Sequence, residues 1–289
     1  MTARRIAILI DGGFFLKRLP KLVASDQCTS AQGIATCIRR LCASHINQLT
    51  GDNDKRWQRH VYRTFFYDAV PYEGKAHHPI DNHAIDFAKS DVARSRHELF
   101  DVLRRQRKLA LRLGKVTKEH DWTIKPALTK KLLHTRQWIG ALDRLAGQAE
   151  DTPESTTSLE LSPEEARSLL NLRELWHSLD GGTVSLGLRQ KGVDMRIGLD
   201  ITTLTLKRQV DTIILVAGDS DFVPAAKLAR REGIEFILDP LWQKVNADLF
   251  EHIDGLQSGL RKPGAPANDN TQSRTERDQA QLQAPDEED

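Results

Sequence analysis

Two apolar runs in this chain end in acids. Ile6-Ala-Ile-Leu-Ile10 runs into Asp11, and Ile213-Ile-Leu-Val-Ala217 runs through Gly218 into Asp219 and Asp221. Short unbroken apolar runs that stop at a turn have the pattern of buried parallel strands, and ligands of an open α/β sheet bind beyond the carboxyl ends of its strands. Both acidic turns are therefore expected on one sheet edge. Asp194 adds a third acid, opening a stretch of helical apolar spacing after Lys191-Gly192, whereas Asp200 lies more than a turn and a half further on and is expected to face elsewhere. Carboxylates packed together raise one another's pKa unless a cation neutralises them. All-oxygen donors without Cys or His favour Mg²⁺ or Mn²⁺ over zinc, and such an ion activates water and stabilises the leaving oxygen of a phosphodiester. Each acid taken singly also reads as a turn former or helix N-cap; their joint placement points to a site.

The elements that must position these acids follow from patterning. Helical spacing runs from Ile34 to Leu49 up to Gly51, and Val61-Tyr-Arg-Thr-Phe-Phe-Tyr67 is rich in β-branched and aromatic residues, giving a βαβ opening. Val92, Leu99, Val102, Leu103, Leu109 and Leu113 predict a helix over roughly Asp91 to Leu113, and Lys125 to Ala146 is also expected to be helical. Glu150 to Ser162 reads as a solvated loop. Ser162-Pro-Glu-Glu165 starts a helix towards Leu179. A strand near Thr183–Leu188, a helix over Arg189 to Ile201, the strand at Ile213, a helix from Phe222 to Arg231 and a strand at Ile234–Leu238 complete an alternation that implies a mostly parallel sheet covered on both faces.

The 289 residues carry 39% hydrophobic and 28% charged residues with a net charge of only +2, which excludes a wholly disordered chain and fits a soluble globular one. Charge is unevenly spread. Lys89 to Arg136 holds fourteen basic against five acidic residues, a signature compatible with a phosphate backbone or with a solvated face. Cys28, Cys37 and Cys42 form no CxxC pair and suit a reducing compartment. No run approaches the ~18 residues of a membrane span, and the five apolar residues before Asp11 are too few for a signal-peptide core, so a cytoplasmic location is expected.

In this order, Ile10-Asp-Gly-Gly-Phe-Phe15, Tyr67-Asp68 with His77-His-Pro79, Lys191-Gly-Val-Asp194 with Asp200, and Val216-Ala-Gly-Asp-Ser-Asp-Phe-Val223 resemble the NYN domain family, the LabA-like branch of the PIN-like ribonucleases. The resemblance covers most of Arg4 to about Asp254. It implies an α/β, PIN-like three-layer fold with a central mostly parallel sheet, here read as a domain over 1–260 with a helical basic insertion at about 92–180 and a disordered polar tail at 261–289. It implies that Asp11, Asp194, Asp219 and Asp221 form a catalytic, Mg²⁺- or Mn²⁺-binding site that hydrolyses RNA, with Asp200 as a neighbour. The chain departs from the family at Gly13 and Phe14, where many members carry Asn. That departure motivates the alternative of a catalytically weak nucleic-acid-binding or regulatory module.

The expected activity is that of a metal-dependent endoribonuclease without a protein nucleophile. Lys191, Arg104, Arg105, Arg107, Lys108 and His78 are the expected substrate-binding residues, with RNA as partner and single-stranded DNA and self-association left open. A phosphatase or nucleotide hydrolase is a third reading, which would need a closed pocket rather than an open groove. A haloacid-dehalogenase-type site fails because Gly13 stands where a second acid is required. His77, His78, Asp81 and His83 make a polar loop cluster without a second ligand cluster of suitable spacing.

Overall fold

The computed structural model describes residues 4–51, 56–140, 143–144 and 160–262. The chain divides into two compact units, one of residues 1–73, 88–117 and 190–289 and one of residues 74–87 and 118–189.

In the first unit β1 (Ile6–Asp11) is central, and Ile6 to Ile10 are wholly buried. After it come α1 (Gly12–Arg18), α2 (Ser25–Cys28) and α3 (Ala31–Thr50), the last starting at a Ser30 N-cap and ending at Gly51, whose φ of 69° is the left-handed conformation that closes helices. β2 (Val61–Val70) then pairs parallel to β1, with Ile10 opposite Phe66 and Asp11 opposite Tyr67. The second unit begins with the hairpin β3 (Lys75–His77) and β4 (Ala84–Asp86). Back in the first unit, α4 spans Asp91–Arg104 and β5 spans Leu109–Ile124, parallel to β2 from Thr64 opposite Leu109.

The expected helix over Asp91–Leu113 is thus corrected. Helical spacing holds only as far as Leu103. Leu109, Leu111 and Leu113 alternate with Ala110 and Arg112 at the period of two that a strand requires. The expected insertion at about 92–180 divides differently as well, since α4 and the first half of β5 belong to the first unit.

The second unit continues with α5 (Pro126–His134) and α6 (Pro163–His177), the latter opened by a capping box in which Ser162 Oγ accepts from Glu165 N and Glu165 returns the bond to Ser162 N. Of the helix expected to Ala146 and the loop expected from Glu150, residues 141–142 and 145–159 lie outside the described residues, as does the expected tail beyond Lys262. β6 (Val184–Lys191) leads back to the first unit, where α7 (Val193–Leu206), β7 (Thr212–Val216), α8 (Val223–Arg231), β8 (Glu235–Asp239), α9 (Ala247–Phe250) and β9 (Gly255–Leu256) complete the order. The seven-stranded sheet runs β6-β5-β2-β1-β7-β8-β9, and the registered pairs β5-β2, β2-β1, β1-β7, β7-β8 and β8-β9 are parallel.

Alternation along the strands makes three layers in the first unit. Ala7, Leu9, Phe65, Tyr67, Ile213 and Leu215 share a core with Val193, Ile197 and Ile201 of α7 and Ala226 and Ala229 of α8. Ile6, Ile8, Ile10, Phe66, Ile214 and Val216 face Phe15 of α1, Ile38 and Leu41 of α3, and Leu99 and Leu103 of α4. Among the described residues no helix is long and apolar enough to cross a membrane.

Candidate active site

Parallel pairing places the carboxyl ends of β2, β1 and β7 side by side, and each runs into acid. Asp11 ends β1, Asp68 follows Tyr67 on β2, and β7 passes through Ala217-Gly218 to Asp219. Asp11 caps α1, its Oδ1 accepting from Phe14 N at 3.2 Å. Asp219 caps the short turn Ser220–Phe222, its Oδ1 accepting from Asp221 N at 3.0 Å. Asp194 lies in the first turn of α7, just after Gly192, whose φ of 80° turns the chain from β6 into the helix.

Glycines let the turns pack. A Cβ on Gly12 would stand 2.5 Å from the Tyr67 carbonyl oxygen, and one on Gly218 would stand 2.6 Å from the Phe14 ring. Phe14 therefore fills the space over the β7 turn and ties it to the β1 turn.

The electrostatics record the convergence. Burial pushes the Asp11 carboxyl up to about 6; the charges of Asp194 and Asp68 push the same way, against hydrogen bonds from Phe14 and Gly13. Asp194 is also raised, by burial first and then by the charges of Asp219 and Asp221. The four acids predicted from sequence thus form one interacting set on an open edge, with Asp11 half-buried and the other three exposed. Asp68 joins them. It is 3% exposed, and burial raises its carboxyl while an ion pair with Arg96 opposes the rise. Its sequence signal is the Tyr67-Asp68 pair of the family resemblance, late in an aromatic-rich strand.

Asp200 faces away, as expected from its spacing: its Oδ2 accepts from Tyr67 Oη at 2.8 Å and Arg112 Nε at 3.0 Å. Lys191 ends β6 and is exposed. The basic run does not stand with the acids. Arg104 closes α4 and Lys108 immediately precedes β5, so Arg104, Arg105, Arg107 and Lys108 lie at the amino edge of parallel strands whose carboxyl edge holds the acids. Lys108 Nζ donates to the carbonyls of Gln58, at 2.9 Å, and Val61. Arg104 pairs with Asp101 at 2.6 Å. Arg94 and Lys118 likewise pair with Asp91 and Asp121 of the same stretch, whereas Arg96 and Arg112 pair with Asp68 and Asp200 from outside it. Linear charge counting cannot see these pairings. His78 lies in the second unit, buried beside Asp81, His83 and Trp122.

The donor set at the sheet edge is all oxygen and suits a hard divalent cation. Among the described residues, however, only His78, Asp81 and His83 bring three ligand atoms within 4.8 Å of one another, so the four aspartates stand further apart than a single closed ion site requires.

Residues 175–251 match the NYN domain family. The matched stretch contains Lys191, Asp194, Asp219 and Asp221, and leaves Asp11 outside. No curated protein matches the chain. Among solved structures, a protein of unknown function from Vibrio parahaemolyticus is similar at 12% identity and a TM-score of 0.37, over 90% of this chain and 96% of that one.

Proposed function

We propose that the chain, whose residues 175–251 match the NYN domain family, a family within the PIN-like nuclease superfamily, is a metal-dependent endoribonuclease acting in the cytoplasm. The observation that carries this reading is the placement of Asp11, Asp219 and Asp221 at the carboxyl edge of a parallel sheet, with Asp194 close enough to be raised by the charges of Asp219 and Asp221 and to raise Asp11. These four carboxylates would hold Mg²⁺ or Mn²⁺, which when bound supplies an activated water and stabilises the leaving oxygen. The chain's own side chains do the rest. With a carboxyl raised to about 6, Asp11 holds a proton more readily than an ordinary aspartate, and the incoming charge of a cation would release it. Asp194, carried by the first turn of α7, and Asp219 and Asp221, fixed by their own turn, orient from the other side. Exposure of three of the four acids leaves room for a polymer and favours a nuclease over a phosphatase with a closed pocket. Lys191, exposed three residues before Asp194, would meet the phosphate backbone.

A second reading keeps the fold and RNA binding but little catalysis. The spread of the aspartates and the use of Phe14 to pack on Gly218 favour it. Cleavage of end-labelled single-stranded and structured RNA, and of single-stranded DNA, in Mn²⁺ and Mg²⁺ separates the two. Wild type is expected to cut, with loss of cutting in EDTA and in Asp219→Asn. Equal inertness of both, with salt-sensitive RNA binding retained, would replace the enzyme by the binding module.

A further inference from the structure

A second set of ligating side chains lies in the β3–β4 hairpin, in the unit that the aspartate site does not use. Its turn runs from His78 to His83. His78 N donates to the His83 carbonyl at 2.9 Å, Asn82 N donates to the His78 carbonyl at 2.8 Å, and Asn82 takes a φ of 54°. This backbone gathers three side chains at one point. His78 Nδ1 lies 2.9 Å and His83 Nδ1 2.6 Å from the same atom, Asp81 Oδ1. The two imidazoles stack with centroids 5.1 Å apart and planes within 11°.

Two further observations concern His78. Its side chain is 4% exposed, walled by the edge of Trp122 at 5.1 Å, and its Nε2 is buried without a hydrogen-bond partner. The ring is therefore held through Nδ1 alone, and a buried imidazole with one orphaned nitrogen needs a strong partner at the other. Ile80 N also points at this Nδ1, at 3.4 Å, which calls on the nitrogen's lone pair, the same lone pair that metal ligation uses.

We propose that His78 Nδ1, Asp81 Oδ1 and His83 Nδ1 bind a divalent transition metal of the zinc class, leaving a further position for water and clamping the hairpin. Two imidazoles and one carboxylate are borderline donors that select zinc-like ions over Mg²⁺. With bonds of about 2.0–2.1 Å, tetrahedral ligand atoms stand about 3.3 Å apart. Opening the 2.9 and 2.6 Å contacts to that spacing takes roughly 0.4–0.7 Å, a movement open to Asp81 and His83, which are 55% and 54% exposed, against a fixed His78. The site is chemically distinct from the all-oxygen aspartate edge and does not depend on nuclease activity.

The test is a Co²⁺ titration of the full chain, tag-free and stripped with EDTA, followed by visible absorption, by displacement with Zn²⁺ and by elemental analysis. One equivalent is expected, with the intense visible bands of low-coordinate cobalt, resisting excess Mg²⁺ and retained in Asp219→Asn. His83→Ala and Asp81→Asn, at exposed positions and checked for folding by circular dichroism, are each expected to lower affinity at least about 10-fold. Absence of stoichiometric Co²⁺ or Zn²⁺ binding would overturn the proposal. So would binding that survives both hairpin variants, or that disappears only in Asp219→Asn and so belongs to the aspartates.

Discussion

Replacing Asp11 with Asn should make the metal-free protein more stable. The Asp11 carboxyl rises from 3.8 to about 6 on folding, chiefly through burial. A shift of that size corresponds to about 3 kcal/mol against the ionised folded state at neutral pH. Relaxation and residual contact with solvent reduce the expected gain to about 1–2 kcal/mol. Asn keeps the cap on Phe14 N, because its side-chain oxygen accepts as the carboxylate does. For a chain of this size the gain corresponds to a Tm higher by roughly 3–6 °C at pH 7.5 in EDTA. The folded pKa lies above the unfolded one, so the Asp11 contribution is intact below about 4 and is lost as pH rises through about 6. The gap between variant and wild type should therefore be near zero at pH 4, open across that window and stay level above it. Adding Mn²⁺ or Mg²⁺ should raise the wild-type Tm more than that of the variant, by mass action on the ion-binding form. Scanning fluorimetry from pH 4 to pH 8 measures all of this. A variant no more stable than wild type in EDTA at pH 7.5, or a gap independent of pH, would refute the argument that burial destabilises the ionised Asp11 carboxylate.

Three other predictions concern the frame around the site. His45 Nε2 and Asp239 Oδ2 form a fully buried pair at 2.7 Å, and Asp239 also accepts from Leu241 N, Ser258 Oγ and Gly259 N; Asp239→Ala should cost about 3–5 kcal/mol in urea unfolding. Gly218→Ala should cost about 1–3 kcal/mol by driving a methyl group into the Phe14 ring, and Phe14→Leu in the same chain should recover part of the loss, a coupling that a double-mutant cycle reads directly. Lys108→Ala should lower the urea midpoint by removing donors to the Gln58 and Val61 carbonyls, by about 1–3 kcal/mol, while the salt slope of RNA binding stays unchanged.

Much of the frame was legible in the sequence because burial writes itself into residue type. Ile6–Ile10 and Ile213–Ala217 sit between helices on both faces, so every position is apolar and the runs are unmistakable. Ser162 with Glu165, and Gly51 after α3, announce helix ends through local chemistry. The change from helix to strand after Leu103 is encoded too, in Leu109, Leu111 and Leu113, but a helical reading absorbs three leucines at a spacing of two unless the period is tested separately.

The sequence by itself determined which strand ends present acid, since apolar runs that stop at Asp11 and at Asp219 dictate a carboxyl edge lined with carboxylates. Tertiary structure alone decided which charges meet. Asp68 joins the acids because β2 lies beside β1, Asp200 is drawn off by Tyr67 and Arg112, and Arg96 is consumed by Asp68. The run from Arg104 to Lys108 reaches the amino edge because β5 is parallel to β2. Charge interactions fall off over a few ångströms in space, whatever the separation along the chain, so a linear count of basic residues cannot say which of them face a ligand and which are already neutralised by the fold.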